Sequence, residues 1–293
     1  MKIPCKLYIC SALVCLAILF GPPSSAQVAT PEEQVESSLP EGLSLNLNTS
    51  FFSQYIWRGQ ELSQDSLVMF PSLTVGYKGF YLNLWLDVDS DYKGDPDGAQ
   101  LWEKDYVFYY SNAWSKVNYT LGYIYYDTMP LHNQELYVTL GLNVPLAPSF
   151  SIYREIELGE SWYFNFALSH SFKMSPTFLS KLPEPCSLDV GGWVSYWDIG
   201  YGDDSSSTRR SLRRRPRKGF SSAEGSSDYD AMNDGNLWAG FTIPLNKHMS
   251  IMPKIQYSFP LSSEANDFLK DVSFDGHDSQ FVYGGIILDI NFP

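Results

Sequence analysis

From residue 43 onward the chain alternates apolar and polar side chains with a period of two, which restricts it to β-strands buried on one face. The clearest stretch sets Phe80, Leu82, Leu84, Leu86 and Val88 against Tyr81, Asn83, Trp85, Asp87 and Asp89. In 43–57, Leu43, Leu45, Leu47, Thr49, Phe51, Tyr55 and Trp57 are expected on one face. Ser44, Asn46, Asn48, Ser50 and Gln54 fall on the other, with Phe52 and Ile56 as exceptions. Runs starting at Val117, Leu136, Trp162, Leu237 and Val282 repeat the pattern, and less regular ones lie near 66–77, 102–114, 149–157, 187–199 and 249–259. Together they predict about twelve strands, an even number that returns both ends of a barrel to one side.

The connections alternate in length as an up-and-down barrel requires. Lys78-Gly79, Ser115-Lys116, Pro145–Pro148 and Pro244–His248 are short, whereas Gly59–Asp65, Ser90–Leu101, Asp127–Gln134, Gly200–Asp234 and Pro260–Ser279 are long and polar. Short periplasmic turns and long external loops are the expected assignment. Gly159-Glu160 and Lys173–Pro185 depart from it. A soluble β-sandwich also has many short strands. Its solvent face should carry few large aromatics, yet this chain has 20 Tyr, 18 Phe and 8 Trp at a mean hydropathy of only −0.19. The fold class read from these features is all-β, a transmembrane antiparallel up-and-down barrel over 43–293.

Residues 1–26 read as a signal peptide: Lys2 and Lys6, an apolar core from Leu7 to Phe20, and Ser24-Ser25-Ala26 as the cleavage site. The core is short for a membrane helix. Residues 27–42 read as a flexible acidic periplasmic lead. Cleavage would remove Cys5, Cys10 and Cys15, leaving Cys186 alone and the mature chain without an internal disulfide. It would also make the formal charge of −13 more negative by two. That balance argues against nucleic acid as partner and favours cationic or neutral solutes.

The stretch Ser53-Gln54-Tyr55-Ile56-Trp57-Arg58-Gly59-Gln60-Glu61-Leu62-Ser63 resembles the opening of the TorF-type porin family. So do Pro71–Tyr77 and Gly79-Phe80-Tyr81-Leu82-Asn83-Leu84-Trp85, and the likeness covers roughly residues 43–90. It implies an outer-membrane barrel of porin type and carries no substrate with it. The chain departs from the family pattern in the Gly200–Asp234 insertion and in ending Phe292-Pro293.

Alternation places Asn83, Trp85, Asp87, Asp89, Tyr153, Glu155, Glu157, Lys254 and Gln256 toward the lumen as pore-lining or selectivity candidates. A charge facing lipid near the midplane would cost about 2–4 kcal/mol, less for a carboxylate. These groups could line an aqueous path or interlock and fill it. Arg58, at the end of the first strand, is expected to pair with Asp87, Asp89 or Glu61, either as a selectivity point or as a pin for the following loop. Arg154, between Ile152 and Ile156, is expected to snorkel on the lipid face. The basic run Arg209, Arg210, Arg213, Arg214, Arg215, Arg217 and Lys218 falls in the longest external loop, where lipopolysaccharide phosphates are its expected partner.

The functional expectation is a monomeric channel of the Gram-negative outer membrane for passive diffusion of small solutes, cation- or neutral-preferring, inserted by the barrel-assembly machinery. A non-conducting surface or adhesion barrel and a lipid-modifying enzyme are the alternatives. Gly-x-Ser-x-Gly, His-Glu-x-x-His and Cys-x-x-Cys do not occur, and His170 cannot form a dyad with Ser169 or Ser171, which point the opposite way. No enzymatic activity, metal or cofactor is therefore expected.

Overall fold

A computed structural model describes residues 41–63, 65–90, 99–128, 131–157, 160–174, 185–200, 229–274 and 276–292. The expected signal peptide, most of the acidic lead, the basic run Arg209–Lys218 and Pro293 lie outside the described residues.

In chain order the strands are β1 (Leu43–Phe52), β2 (Ile56–Trp57), β3 (Gln60–Glu61), β4 (Val68–Tyr77), β5 (Phe80–Asp89), β6 (Gln100–Trp114) and β7 (Val117–Thr128). They continue with β8 (Leu131–Leu142), β9 (Ser149–Glu155), β10 (Glu160–Met174), β11 (Cys186–Gly200), β12 (Tyr229–Pro244), β13 (Met249–Pro260) and β14 (Phe281–Phe292). One helix, α1 (Ser263–Val272), separates β13 from β14. Twelve strands form a closed antiparallel barrel, β1 and β4 to β14, sealed where β1 pairs with β14 from Leu45↔Phe292 to Phe52↔Gly285. Closure leaves no unpaired edge, the condition for strands to cross lipid.

The period-two pattern becomes two chemically distinct surfaces. Outward-facing Leu47, Leu73, Leu82, Phe108, Leu121, Leu140, Ile255 and Val282 are exposed, and Trp114 is 79% exposed. An exposed apolar wall of this extent is the surface that a barrel presents to lipid. Large aromatics collect at its margins. Tyr77, Phe80 and Trp114 stand at the turn end, and Trp162 and Tyr257 toward the loop end. Arg154 lies over the Trp162 ring at 4.9 Å, near the loop end of β9.

The tight turns use left-handed backbone where the chemistry permits it. Lys78 (φ 51) and Gly79 (φ 88) link Tyr77 to Phe80. Positive φ at both central residues matches the right-handed twist of the flanking strands.

Three segments differ from the sequence reading. Strand β1 ends at Phe52, so Tyr55 and Trp57 do not extend its lipid face; they belong to a separate inward-folded segment containing the β2–β3 hairpin. Residues 260–279, read as polar loop, contain α1, whose Ala265, Leu269 and Val272 are buried at helical spacing. Ser262 caps it by accepting from the Ala265 N–H at 3.0 Å. Gly200 ends β11 and β12 begins at Tyr229, so Gly200 and 229–234, expected within the external loop 200–234, are strand, while 201–228 lie outside the described residues.

Candidate functional site: the packed half of the lumen

The lumen divides into two halves of different character. Toward the turns its wall is polar and partly accessible. Asn83 Nδ2 donates to Ser72 Oγ (2.7 Å) and Thr74 Oγ1 (2.8 Å), and Asn46 Nδ2 donates to Asp289 Oδ1 (2.8 Å). Toward the loops the wall and the connections pack together. There Glu61, Asp87, Asp89, Glu103, Asp105 and Glu135 are all buried.

The β2–β3 hairpin produces this packing. It pairs Ile56↔Glu61 and Trp57↔Gln60, leaving Arg58 (φ 48) and Gly59 (φ 82) as its two-residue tip. Asn-Gly is the usual sequence for such a turn. Arginine at the first position is disfavoured by about 1–2 kcal/mol, so its side chain must be held from elsewhere. Arg58 Nη2 lies 2.7 Å from Glu135 Oε2, and the two side chains are only 7% and 1% exposed. Its Cζ stands over the rings of Trp57 (4.4 Å), Tyr153 (5.3 Å), Tyr163 (4.3 Å) and Trp197 (5.4 Å). Burial alone would favour loss of the Arg58 proton, but Glu135 more than offsets it and holds the guanidinium more firmly charged than usual. The partner is therefore Glu135 and none of Asp87, Asp89 and Glu61, the carboxylates expected from the sequence.

Glu61 faces other groups. Its Oε1 accepts from Ser63 N (2.7 Å) and Ser63 Oγ (2.8 Å), while its Oε2 is buried without a hydrogen bond among the described residues. Burial raises its pKa, partly countered by the Ser63 bonds.

Helix α1 clamps the hairpin from the other side. The Glu61 N–H donates to Ser273 Oγ at 3.1 Å, and the Phe274 N–H donates to the Glu61 carbonyl at 2.9 Å. Gly59 sits so close that an added Cβ would lie 2.8 Å from Leu269 Cδ1 and 2.9 Å from Asp234 Cβ. Phe268 stacks on Tyr229 at 4.1 Å and meets Trp197 edge-on at 5.9 Å.

A bulge in β12 completes the anchorage. The β11–β12 register shifts between Val194↔Gly235 and Tyr196↔Met232, and Asn233 and Asp234 are both fully buried on the lumen side. Asp234 accepts from Tyr163 Oη (3.0 Å), Trp193 Nε1 (3.0 Å) and Ser195 Oγ (2.5 Å). Asn233 Nδ2 donates to the Arg58 carbonyl at 3.0 Å, tying the hairpin tip to the wall.

The remaining candidates are placed as follows. Trp85 stacks on Phe70 at 4.9 Å, beneath Tyr55. Asp87 opposes Glu103, and Asp87 Oδ1 and Asp105 Oδ1 are buried without hydrogen bonds among the described residues. Asp89 accepts from Ser66 Oγ. Tyr55 Oη donates to Glu103 Oε2 at 3.2 Å. Glu155 opposes Glu135 and accepts from Ser161 Oγ at 2.9 Å. Lys254 lies over the Trp238 ring at 4.6 Å, and Gln256 is buried. Glu157 is the correction. β9 stops at Glu155, alternation no longer governs the next residues, and Glu157 is exposed at the rim, accepting from Gln134 Nε2 at 2.8 Å.

The structure therefore brings Arg58 together with Tyr153 and leaves Asn83, Lys254 and Glu157 elsewhere. Glu135, Tyr163, Trp197 and Asp234 complete the site and were not among the sequence candidates. Glu135 was readable, since it precedes the outward series Leu136, Val138 and Leu140 and so must face inward. His170 packs edge-on to Phe172 at 4.5 Å, and among the described residues no group of three His, Cys, Asp or Glu is arranged to hold a metal ion.

No family model matches the chain, and no curated protein is similar to it, so the likeness to TorF-type porins rests on the residues quoted above. Among solved structures the chain is similar to an anion-selective porin from Comamonas acidovorans, at a TM-score of 0.28 and 9% identity, over 85% of this chain and 98% of that one. A likeness this distant identifies neither solute nor selectivity, and the barrel architecture stands on the strand register itself.

Proposed function

We propose that the protein is a narrow outer-membrane channel for small solutes, of the porin type that the TorF-like segment implies, closed on its external side by its own loops. One observation carries this reading. The barrier across the lumen includes the β2–β3 hairpin and α1, both parts of connections, so it can withdraw without breaking a hydrogen bond of the barrel ladder. With the short turns on the periplasmic side, the accessible polar half faces the periplasm and the packed half faces outward. Among the described lumen groups, Asp87, Glu103, Asp105, Glu135 and Asp234 stand against Arg58 and Lys254, a balance that favours cations over anions. The Arg209–Lys218 run would meet lipopolysaccharide phosphates on the external side.

Planar-bilayer recording tests this. The refolded barrel should give small steps, a variant with Gln54–Asp65 replaced by a short Gly-Ser linker should give larger ones, and a salt gradient should show cation preference. The packed external half also supports a second reading, a non-conducting barrel acting through its loops. Silence from both proteins would sink the channel and leave that second reading.

A further inference from the structure

The pocket that holds Arg58 is built almost wholly by the barrel wall. Tyr126, Glu135, Tyr153, Tyr163 and Trp197 come from β7, β8, β9, β10 and β11, five consecutive strands. Three of these rings surround the guanidinium carbon, at 4.3 Å (Tyr163), 5.3 Å (Tyr153) and 5.4 Å (Trp197). Glu135 supplies the counter-charge, and Tyr126 Oη donates to its Oε2 at 2.9 Å, fixing that oxygen where the guanidinium meets it. Only Trp57, at 4.4 Å, belongs to the hairpin and would leave with it. Aromatic faces around a carboxylate recognise an organic cation. An anion would meet Glu135 directly, and a neutral solute would leave that buried charge unpaired. The backbone points the same way, because a turn that favours Asn or Gly at φ 48 holds arginine instead.

We propose that this wall pocket is a binding site for a solute bearing a guanidinium or alkylammonium group, and that Arg58 occupies it as a resident surrogate when the hairpin is seated. The proposal deepens the channel reading and rests on it for the solute's route. Binding and conduction can nevertheless be measured separately.

The test uses the full barrel carrying Arg58→Gly, since glycine accepts the backbone angle at this position and the change removes only the side chain. The probe is guanidinium chloride at low millimolar concentration, compared with sodium chloride at equal ionic strength and with urea, a neutral molecule of the same shape. Guanidinium should raise the thermal midpoint of Arg58→Gly saturably and leave wild type unchanged, while sodium chloride and urea should do neither. Adding Glu135→Gln should weaken the response roughly tenfold or more, because a charge-assisted bond is lost. If Arg58→Gly does not refold alone, Arg58→Ala is used, and failing that the refolding yield with and without the probe becomes the readout. A response no larger than that to sodium chloride, or one indifferent to Glu135→Gln, overturns the site. Since stability is the readout, a barrel that never conducts can still bind the cation, and a conducting barrel can fail to.

Discussion

Replacing Gly59 by alanine should unseat the hairpin, and the size of the effect can be built from two contributions. The first is backbone: Gly59 has φ 82, where an L-residue is disfavoured by about 1–2 kcal/mol. The second is steric. The added methyl would lie 2.8 Å from Leu269 Cδ1 and 2.9 Å from Asp234 Cβ. Leu269 is fully buried, and Asp234, on the bulge, is fixed by donors from Tyr163, Trp193, Ser195 and Asn233. Overpacking of this kind costs about 1–3 kcal/mol. Together they weaken seating by roughly 2–5 kcal/mol, or about 30-fold to a few thousand-fold in the ratio of seated to withdrawn hairpin. Trypsin reads that ratio, because the bond after Arg58 is a cleavage site only when the buried side chain is released. Gly276→Ala is the matched control, with φ 69 but nothing within 4 Å of the added carbon, so it carries the backbone cost without the clash. Cleavage after Arg58, followed by mass spectrometry, should be much faster in Gly59→Ala than in Gly276→Ala. Equal rates would refute the idea that the hairpin is wedged between α1 and the β12 bulge.

Two further perturbations probe its anchors. Asp234→Ala strands the Tyr163 and Trp193 donors, at about 1–3 kcal/mol each, while Ser195 Oγ keeps the backbone carbonyl of residue 234 as an acceptor. It should lower the denaturant midpoint clearly, whereas Asp234→Asn, which keeps one acceptor, should lower it less; an unchanged midpoint in Asp234→Ala would contradict the assignment. Glu61 has a pKa raised by burial, so the folded hairpin favours its protonated form. That contribution is complete below the ordinary carboxylate pKa and is lost as pH rises through the raised value. Seating should therefore weaken from acid toward neutral pH by way of this group, and Glu61→Gln should flatten that part of the trypsin-protection profile. A profile identical to wild type would count against it.

The barrel could be read from the sequence because its determinants are local. Alternation along Phe80–Asp89 decides which side chains face lipid, and the turns Lys78-Gly79 and Ser115-Lys116 occur where those runs break. The site was less legible for three physical reasons. Tyr55 and Trp57 continue the alternation of β1, so nothing local announces that the chain leaves the wall after Phe52 and turns inward. Asn233 and Asp234 are adjacent and both face the lumen, which alternation forbids and only a bulge permits. Helix α1 has the 265–269–272 spacing of a buried face, but its ten residues sit in a stretch rich in Ser, Glu and Asp that reads as loop. Arg58 was identified as a residue of interest, yet its partner Glu135 lies 77 positions away and is chosen by the shape of the closed barrel.

The clamp between the hairpin and α1 has a bearing on barrel closure. Glu61 meets Ser273 across 212 positions of chain, from the first and last connections on the loop side. Those two connections adjoin β1 and β14, the strands that meet at the seam. Closing the seam brings those two connections to one place, so the seam and the clamp reinforce each other, and weakening either should loosen both.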